Sequence, residues 1–210
     1  GHMGAYSFHE TKNYTSGGEG GLLLVNDERF VARAEIIREK GTNRSQYFRG
    51  MVDKYTWVDV GSSFLPSDML GAFLFAQLQE RECIQAKRKF IWNTYCEHLS
   101  EWASQNGIQL PTVPQHCDQS YHLFYLLMPS LEIRQKLIAY LRECGILGVF
   151  HYLPLHLSPM GKKYGGKAGD CPVAENVSDR LLRLPFYYGL TFEEQSQVIE
   201  TLLSFRLIEK

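Results

Sequence analysis

One helical period constrains the fold more than anything else in this chain. Between about residues 81 and 105, Ile84, Ile91, Tyr95, Leu99 and Trp102 recur on one face, with lysines and arginines opposite. That spacing predicts a long amphipathic helix whose apolar stripe must pack against another layer. A shorter helix precedes it, opened by Ser67-Asp68, with Leu70, Phe73, Leu74 and Leu78 on one face. Downstream, Pro111-Thr112-Val113-Pro114 marks a boundary, and short strands then alternate with helices. Strands are expected at 121–128 and 146–152. Ser130 caps a helix that Gly145 ends, and a proline- and glycine-bearing loop covers 153–171. A helix over 172–182 starts on Pro172, and the capping box Thr191-x-x-Glu194 opens a last helix to about 205.

Upstream, the apolar residues 6–8 and 22–25 read as two strands joined through Thr15-Ser16-Gly17-Gly18-Glu19-Gly20-Gly21. Asn26 or Asp27 caps a helix to about Lys40, with Phe30, Ala34 and Ile37 on one face and Gly41 as its stop. Residues 42–64 keep no period and form a polar, aromatic loop too long for a mere connector. The fold class is therefore α/β in two regions. Residues 4–105 read as the end of a larger α/β layer with connecting helices, and 112–207 as a small α/β domain. Gly1-His2-Met3 reads as a cloning scar.

Composition narrows the function. Lys+Arg 22 against Asp+Glu 23 leaves a net charge of −1, so there is no global basic field for nucleic acid. No apolar run approaches the length of a membrane span, so no membrane insertion is expected. Cys83, Cys96, Cys117, Cys144 and Cys171 are odd in number and hold no Cys-x-x-Cys pair. Reduced thiols in a cytoplasmic protein fit that usage better than disulfides or a zinc site, and no metal is expected.

Four groups of residues invite chemistry. Lys12 follows a strand and precedes the glycine-rich stretch; a lysine at a crowded strand end can lose its proton and add to a carbonyl. A solvated surface lysine is the plainer alternative. The glycines at 17–21 suit either a phosphate cradle or a sharp hairpin-like turn, and lack the spacing of a known nucleotide fingerprint. His151-Tyr152-Leu153-Pro154-Leu155-His156 places two histidines at a strand end, as a sugar- or carboxylate-binding loop or as ordinary loop histidines. Arg38, Lys40, Arg44 and Arg49 surround the 42–64 loop and could meet phosphates or simply water.

Ser7-Phe8-His9-x-x-Lys12 with Gly18-Glu19-Gly20-Gly21 downstream resembles the active-site lysine motif of the DegT/DnrJ/EryC1/StrS sugar aminotransferases. These are fold-type I enzymes dependent on pyridoxal 5'-phosphate. The resemblance extends through Arg38-Glu39-Lys40-Gly41-Thr42-Asn43-Arg44-Ser45-Gln46, Val52-Asp53-Lys54-Tyr55-Thr56-Trp57 and Gly61-Ser62-Ser63-Phe64-Leu65-x-Ser67-Asp68. It continues in Val149-Phe150-His151-Tyr152-x-Pro154-Leu155-His156 and Arg180-Leu181-Leu182-Arg183-Leu184-Pro185. It covers residues 4–207 and is similar above all to the branch that aminates C4 of a dTDP-4-keto-6-deoxyhexose, for enterobacterial common antigen and related lipopolysaccharide and surface glycans.

The resemblance implies a C-terminal portion of a fold-type I transferase: the end of the large domain, connecting helices and a small domain. It implies that Lys12 carries pyridoxal 5'-phosphate covalently and moves the proton of the reaction, and that Ser7 contacts the cofactor phosphate. Ser63 stands where many relatives have an asparagine that reaches the partner's phosphate site, and the resemblance implies that its hydroxyl donates a hydrogen bond there instead. His151, Tyr152 and His156 match a loop near the sugar, and Arg44 lies in a segment near the interface of a homodimer. Glutamate is the implied amino donor. A related branch carries histidine in place of the lysine and dehydrates sugars; Lys12 argues against it. Family members are nearly twice as long, so the chain reads as a fragment lacking the acid that faces the pyridine nitrogen, and the cofactor is expected to be absent from it. The alternative is a non-catalytic domain for nucleotide-sugar binding or assembly.

Overall fold

A computed structural model describes residues 1–206 of the chain; Leu207, the expected end of the small domain, lies outside them. Two compact units divide the chain, Gly1–Glu82 and Cys83–Lys210.

In the first unit, β1 (Met3–Ser7) pairs antiparallel with β2 (Gly21–Val25), Met3 opposite Val25 and Ser7 opposite Gly21. The two expected strands are thus present as a hairpin. The Asp27 carboxylate accepts the Arg29 N–H and opens a short turn at Glu28–Phe30 that runs into α1 (Val31–Arg38). Gly41 stops the chain there with φ 74°. A Cβ at that position would collide with the Asp59 carbonyl, so only glycine permits the close return of residues 57–64. The Lys40 N–H donates to Ser62 O, the Val58 N–H to Gly41 O and the Phe64 N–H to Arg38 O. The 42–64 stretch is therefore folded onto the end of α1, and it contains α2 (Arg44–Phe48), where only a loop was expected. A helix of five residues is too short to leave a readable period. Ser67 caps α3 (Asp68–Gln79), its Oγ accepting the Leu70 N–H at 3.4 Å.

The second unit is built on α4 (Arg81–Gln105), the helix that the apolar period predicted. Ile91, Tyr95, Leu99 and Trp102 are buried with Phe124, Leu126, Met128, Leu137, Leu141, Leu182 and Leu202. The helix thus packs with residues beyond the proline segment at 111–114, where the sequence suggested a boundary. Three short strands, β3 (Tyr125–Leu127), β4 (Val149–Phe150) and β5 (Leu181–Arg183), form a sheet in the order β3-β5-β4, both pairings antiparallel.

β3 is shorter than expected because Tyr121 sits at φ 49°, which ends the extended run. The Arg88 guanidinium holds that kink, donating to the Tyr121 carbonyl at 2.8 Å and to that of His122. α5 (Leu131–Glu143) follows β3, capped by Ser130. The loop at 153–171 contains α6 (Pro159–Lys163), capped by Ser158. α7 (Pro172–Arg180) passes into β5 with no intervening turn, which is why the sequence read one helix to 182. α8 (Phe192–Ser204) opens on Thr191 with both hydrogen bonds of the capping box. Among the described residues, no helix is long and apolar enough to cross a membrane.

Candidate functional site

The candidate residues fall into two sets, one in each unit. In the first, Ser7 ends β1, and its Oγ accepts the His9 N–H at 3.4 Å. The His9 ring turns back, Nδ1 accepting the Thr11 N–H at 3.1 Å, and the Lys12 N–H donates to the His9 carbonyl at 2.9 Å. Residues 7–12 are thus a tight turn, and the Lys12 side chain points into solvent from it.

The neck of this loop is closed. The Phe8 N–H donates to Gly20 O at 2.8 Å, and the Ser16 N–H to Phe8 O at 2.9 Å. Ser16 is buried, its hydroxyl 2.8 Å from Glu19 O and 3.1 Å from Phe8 O. A Cβ on Gly20 would stand 2.5 Å from the buried Ser16 oxygen, so a side chain there would force the neck of the loop to shift. The glycine-rich stretch therefore forms a turn that closes on its own backbone, the second of the two readings open at the sequence level.

Arg44 and Ser63 meet around one acid. Glu39 is buried; its carboxylate takes the Arg44 Nη1 at 2.9 Å, and its backbone bridges to Ser63. The Arg44 guanidinium also lies 5.1 Å from the centre of the Phe48 ring. Arg49 is held by Glu35, which raises its already high pKa through the hydrogen bond and the opposite charge. These arginines are thus engaged with acids of the chain and do not form a bare basic patch.

In the second unit, His151 and Tyr152 follow β4 and pack ring against ring, centroids 5.2 Å apart. The His151 Nδ1 is buried without a hydrogen-bond partner. Burial first, and the nearby Arg183 charge second, lower the His151 pKa. α7 pins this loop twice. The Ser178 Oγ donates to the Tyr152 carbonyl at 3.1 Å, and Glu175 Oε1 lies 2.8 Å from His156 Nε2. Glu175 also accepts the N–H groups of Gly169 and Cys171. The His156 hydrogen bond, aided by those N–H donors, holds its carboxyl below the usual range.

Glu175 and Arg183 were missed from the sequence. A helix assumed through residue 182 hid the alternation Leu182 in, Arg183 out, Leu184 in, which the burial of Leu182 and Leu184 reveals. Among the described residues, no group of three or more His, Cys, Asp or Glu could hold a metal ion.

Relatives of known name share this architecture. The chain is 31% identical over 202 residues to an uncharacterized protein of Methanocaldococcus jannaschii, MJ1066, a match covering 93% of this chain and 51% of that one. It is 29% identical over 202 residues to a dTDP-3-amino-3,4,6-trideoxy-alpha-D-glucose transaminase of Streptomyces venezuelae, covering 94% and 48% of the two chains. The crystal structure of S. venezuelae DesV in complex with a ketimine intermediate superposes with a TM-score of 0.83 at 27% identity, covering 96% of this chain and 50% of that one. The chain thus spans about half the length of the relatives it matches. Its fold is the α/β portion of a fold-type I aminotransferase expected from the sequence. Residues 1–203 match the model of one family, and the chain belongs to it: the DegT/DnrJ/EryC1/StrS aminotransferase family.

Proposed function

We propose that this chain is the lysine-bearing C-terminal part of a sugar-nucleotide aminotransferase, a dTDP-4-oxo-6-deoxy-D-glucose transaminase. The parent enzyme transfers an amino group from glutamate to C4 of a dTDP-4-keto-6-deoxyhexose, in the synthesis of a surface glycan such as enterobacterial common antigen. The observation that carries this reading is the closed loop at 8–20, which presents Lys12 to solvent from a neck fixed by Ser16 and Gly20. Hydrogen bonds at both ends of the loop, Phe8 to Gly20 and Ser16 to Phe8 at the neck and Lys12 to His9 at the turn, fix the backbone that carries this lysine.

The residues present suit pyridoxal 5'-phosphate. Lys12 offers an exposed amine for its aldehyde, and the Ser7 hydroxyl, which among the described residues accepts the His9 N–H and donates to none, has its own proton for a phosphate oxygen. When bound, that cofactor supplies an electron sink for the carbon that gains or loses a proton. In this reading Lys12 Nζ holds the cofactor and moves the proton at the reacting carbon. The loop of His151, Tyr152 and His156 contacts the sugar nucleotide. Ser63 and Arg44, both held by Glu39, serve a neighbouring subunit's site in a homodimer. In this reading the N-terminal half of the parent enzyme supplies the acid for the pyridine nitrogen, so the 210-residue chain alone does not bind the cofactor productively.

The test is to supply the keto sugar and glutamate to the full-length parent and look for the amino sugar. Its formation, abolished by Lys12→Ala, is expected; no product from the wild-type parent sinks the reading. A second reading, an assembly domain without catalysis, draws on the exposed apolar side chains of β1 and β2, Tyr6 and residues 22–24. Turnover unaffected by Lys12→Ala would favour it.

A further inference from the structure

His9 is the residue through which the Lys12 turn is held. Its backbone N–H reaches the Ser7 Oγ at 3.4 Å, and its carbonyl accepts the Lys12 N–H at 2.9 Å. Its ring Nδ1 stands 3.1 Å from the Thr11 backbone nitrogen and 2.9 Å from the Thr11 Oγ1. On the other side a parallel backbone bridge ties His9 to Gly18, and the preceding residue, Phe8, is buried. His9 thus links the closed neck of the loop to Ser7 and Lys12, the two residues of this turn that the aminotransferase reading gives to the cofactor.

The partners of the ring fix where its proton lies. A backbone N–H can only donate, so Nδ1, which receives one from Thr11, carries no hydrogen. The Thr11 hydroxyl then meets the same lone pair as a second donor. In the neutral imidazole the one remaining hydrogen is on Nε2. Nε2 faces Glu19, whose Oε1 is 3.6 Å away, and that carboxylate favours the same tautomer. The Glu19 side chain is 87% exposed, so water screens its attraction and the Thr11 donors decide the matter. A side-chain acceptor that closes on the N–H two residues ahead is the geometry of an Asx turn, built here with an imidazole.

We propose that His9 is a positioning residue for Lys12: its unprotonated Nδ1 pins the Thr11 amide and so sets the direction in which the Lys12 side chain leaves the loop. A lysine that adds to an aldehyde and moves a proton at one carbon needs its amine held within about 0.5 Å of the productive place. Its flexible four-carbon stem multiplies any error in backbone direction at Nζ. His9 corrects that error at its source, one residue from the Lys12 backbone, and itself touches neither cofactor nor substrate in this role. The tautomer and the turn follow from the geometry of the first unit alone. Only the consequence for catalysis rests on the aminotransferase reading.

The first measurement needs no variant. Long-range proton–nitrogen correlation spectra of the 210-residue chain, in alkaline buffer where imidazole is neutral, read the His9 tautomer. A single Nε2–H form is expected; an Nδ1–H form, or an even average of the two, overturns the proposal. His9→Ala then removes the acceptor, and His9→Asn restores an oxygen that accepts the same N–H. Hydrogen exchange at the Thr11 amide should quicken about fivefold in His9→Ala and stay near wild type in His9→Asn. The Phe8 and Ser16 amides of the neck, unchanged in both, confirm that each variant folds. In the full-length parent, His9→Ala should lower kcat about tenfold with KM for the keto sugar unchanged, and His9→Asn should recover most of that loss. Unchanged Thr11 exchange in His9→Ala, or a kcat that falls equally in both variants or in neither, overturns the proposal and leaves the aminotransferase reading intact. A wild-type parent that forms no amino sugar sinks that reading instead, and the tautomer and the Thr11 exchange still decide whether His9 sets the turn.

Discussion

The two units of this chain are held together by different forces. The second closes a continuous apolar core in which Tyr95, Leu99, Phe124, Leu126, Leu137, Leu141, Leu182 and Leu202 are fully out of solvent. In the first, Phe8 is the one buried apolar side chain among the described residues, while Met69, Trp57, Phe64, Phe75 and the β2 leucines stay exposed. Its order comes from backbone hydrogen bonds around Gly41 and Gly20 and from the pairs Arg44–Glu39, Arg33–Asp59 and Arg49–Glu35. Apolar burial is the main source of stability, and exposed ion pairs add little. The unit that displays Lys12 is therefore the one less able to stabilise itself.

The sharpest way to break this contrast is a matched pair of truncations. Leu137→Ala, in the second unit, removes a fully buried side chain and is expected to cost about 2–5 kcal/mol. Leu23→Ala, in β2, removes a side chain that is 53% exposed, and is expected to change stability by no more than about 0.5 kcal/mol. Denaturant unfolding of both variants measures the difference. Equal costs would show that the first unit has an apolar core of its own.

A polar contact inside the core comes next. The Tyr95 hydroxyl donates to the Pro185 carbonyl at 2.9 Å, and burial pushes its pKa far above the ordinary tyrosine value. Tyr95→Phe leaves that carbonyl unmet and is expected to cost about 1–3 kcal/mol. In the first unit the counterpart is Gly20→Ala, which drives a methyl into the Ser16 oxygen and opens the neck of the Lys12 loop. Hydrogen exchange at the Phe8 and Ser16 amides should accelerate there while the second unit stays protected. Unchanged exchange would show that the neck is not what holds the loop.

The contrast also explains what the sequence made legible. α4 could be read almost to the residue because a buried stripe imposes its period on the sequence. The caps at Ser67, Ser130 and Thr191 were equally clear, since each oxygen meets an orphan N–H of the first turn. β5 was not legible: three residues joined directly to a helix carry no turn signal. α2 was lost for a similar reason, being held by tertiary contacts to the end of α1 instead of a pattern of its own. The Lys12 motif could be found because its residues are contiguous. Arg183 and Glu175 could not, because their meaning depends on a loop more than fifteen residues away in the chain.

The smallest predicted effect separates the two units by pH. His151 has a lowered pKa in the folded state, so the neutral ring is favoured on folding. Its contribution is complete above its unfolded value of 6.5 and is lost as pH falls from there toward the folded value. Glu175 is also lowered, from 4.5, so its contribution is complete above that value and disappears as pH falls through the folded one. In the first unit the lowered groups are Asp27 and Asp59, both from 3.8, paired with Arg29 and hydrogen-bonded by Val60 and Arg33 respectively. Acid should therefore weaken the second unit at higher pH than the first. Trp92 and Trp102 are buried in the second unit and Trp57 is exposed in the first, so the quenching of buried tryptophan fluorescence follows the second unit. Its acid transition should move to lower pH in His151→Gln, where no ring remains to be protonated. The Glu175→Gln variant should approach wild-type stability as pH drops below about 4.5, because protonation removes the same charge from the native carboxylate. A gap between Glu175→Gln and wild type that persists undiminished into strong acid would mean that Glu175 acts through shape and not charge, and that the loop at His151 is held by packing like the core beneath it.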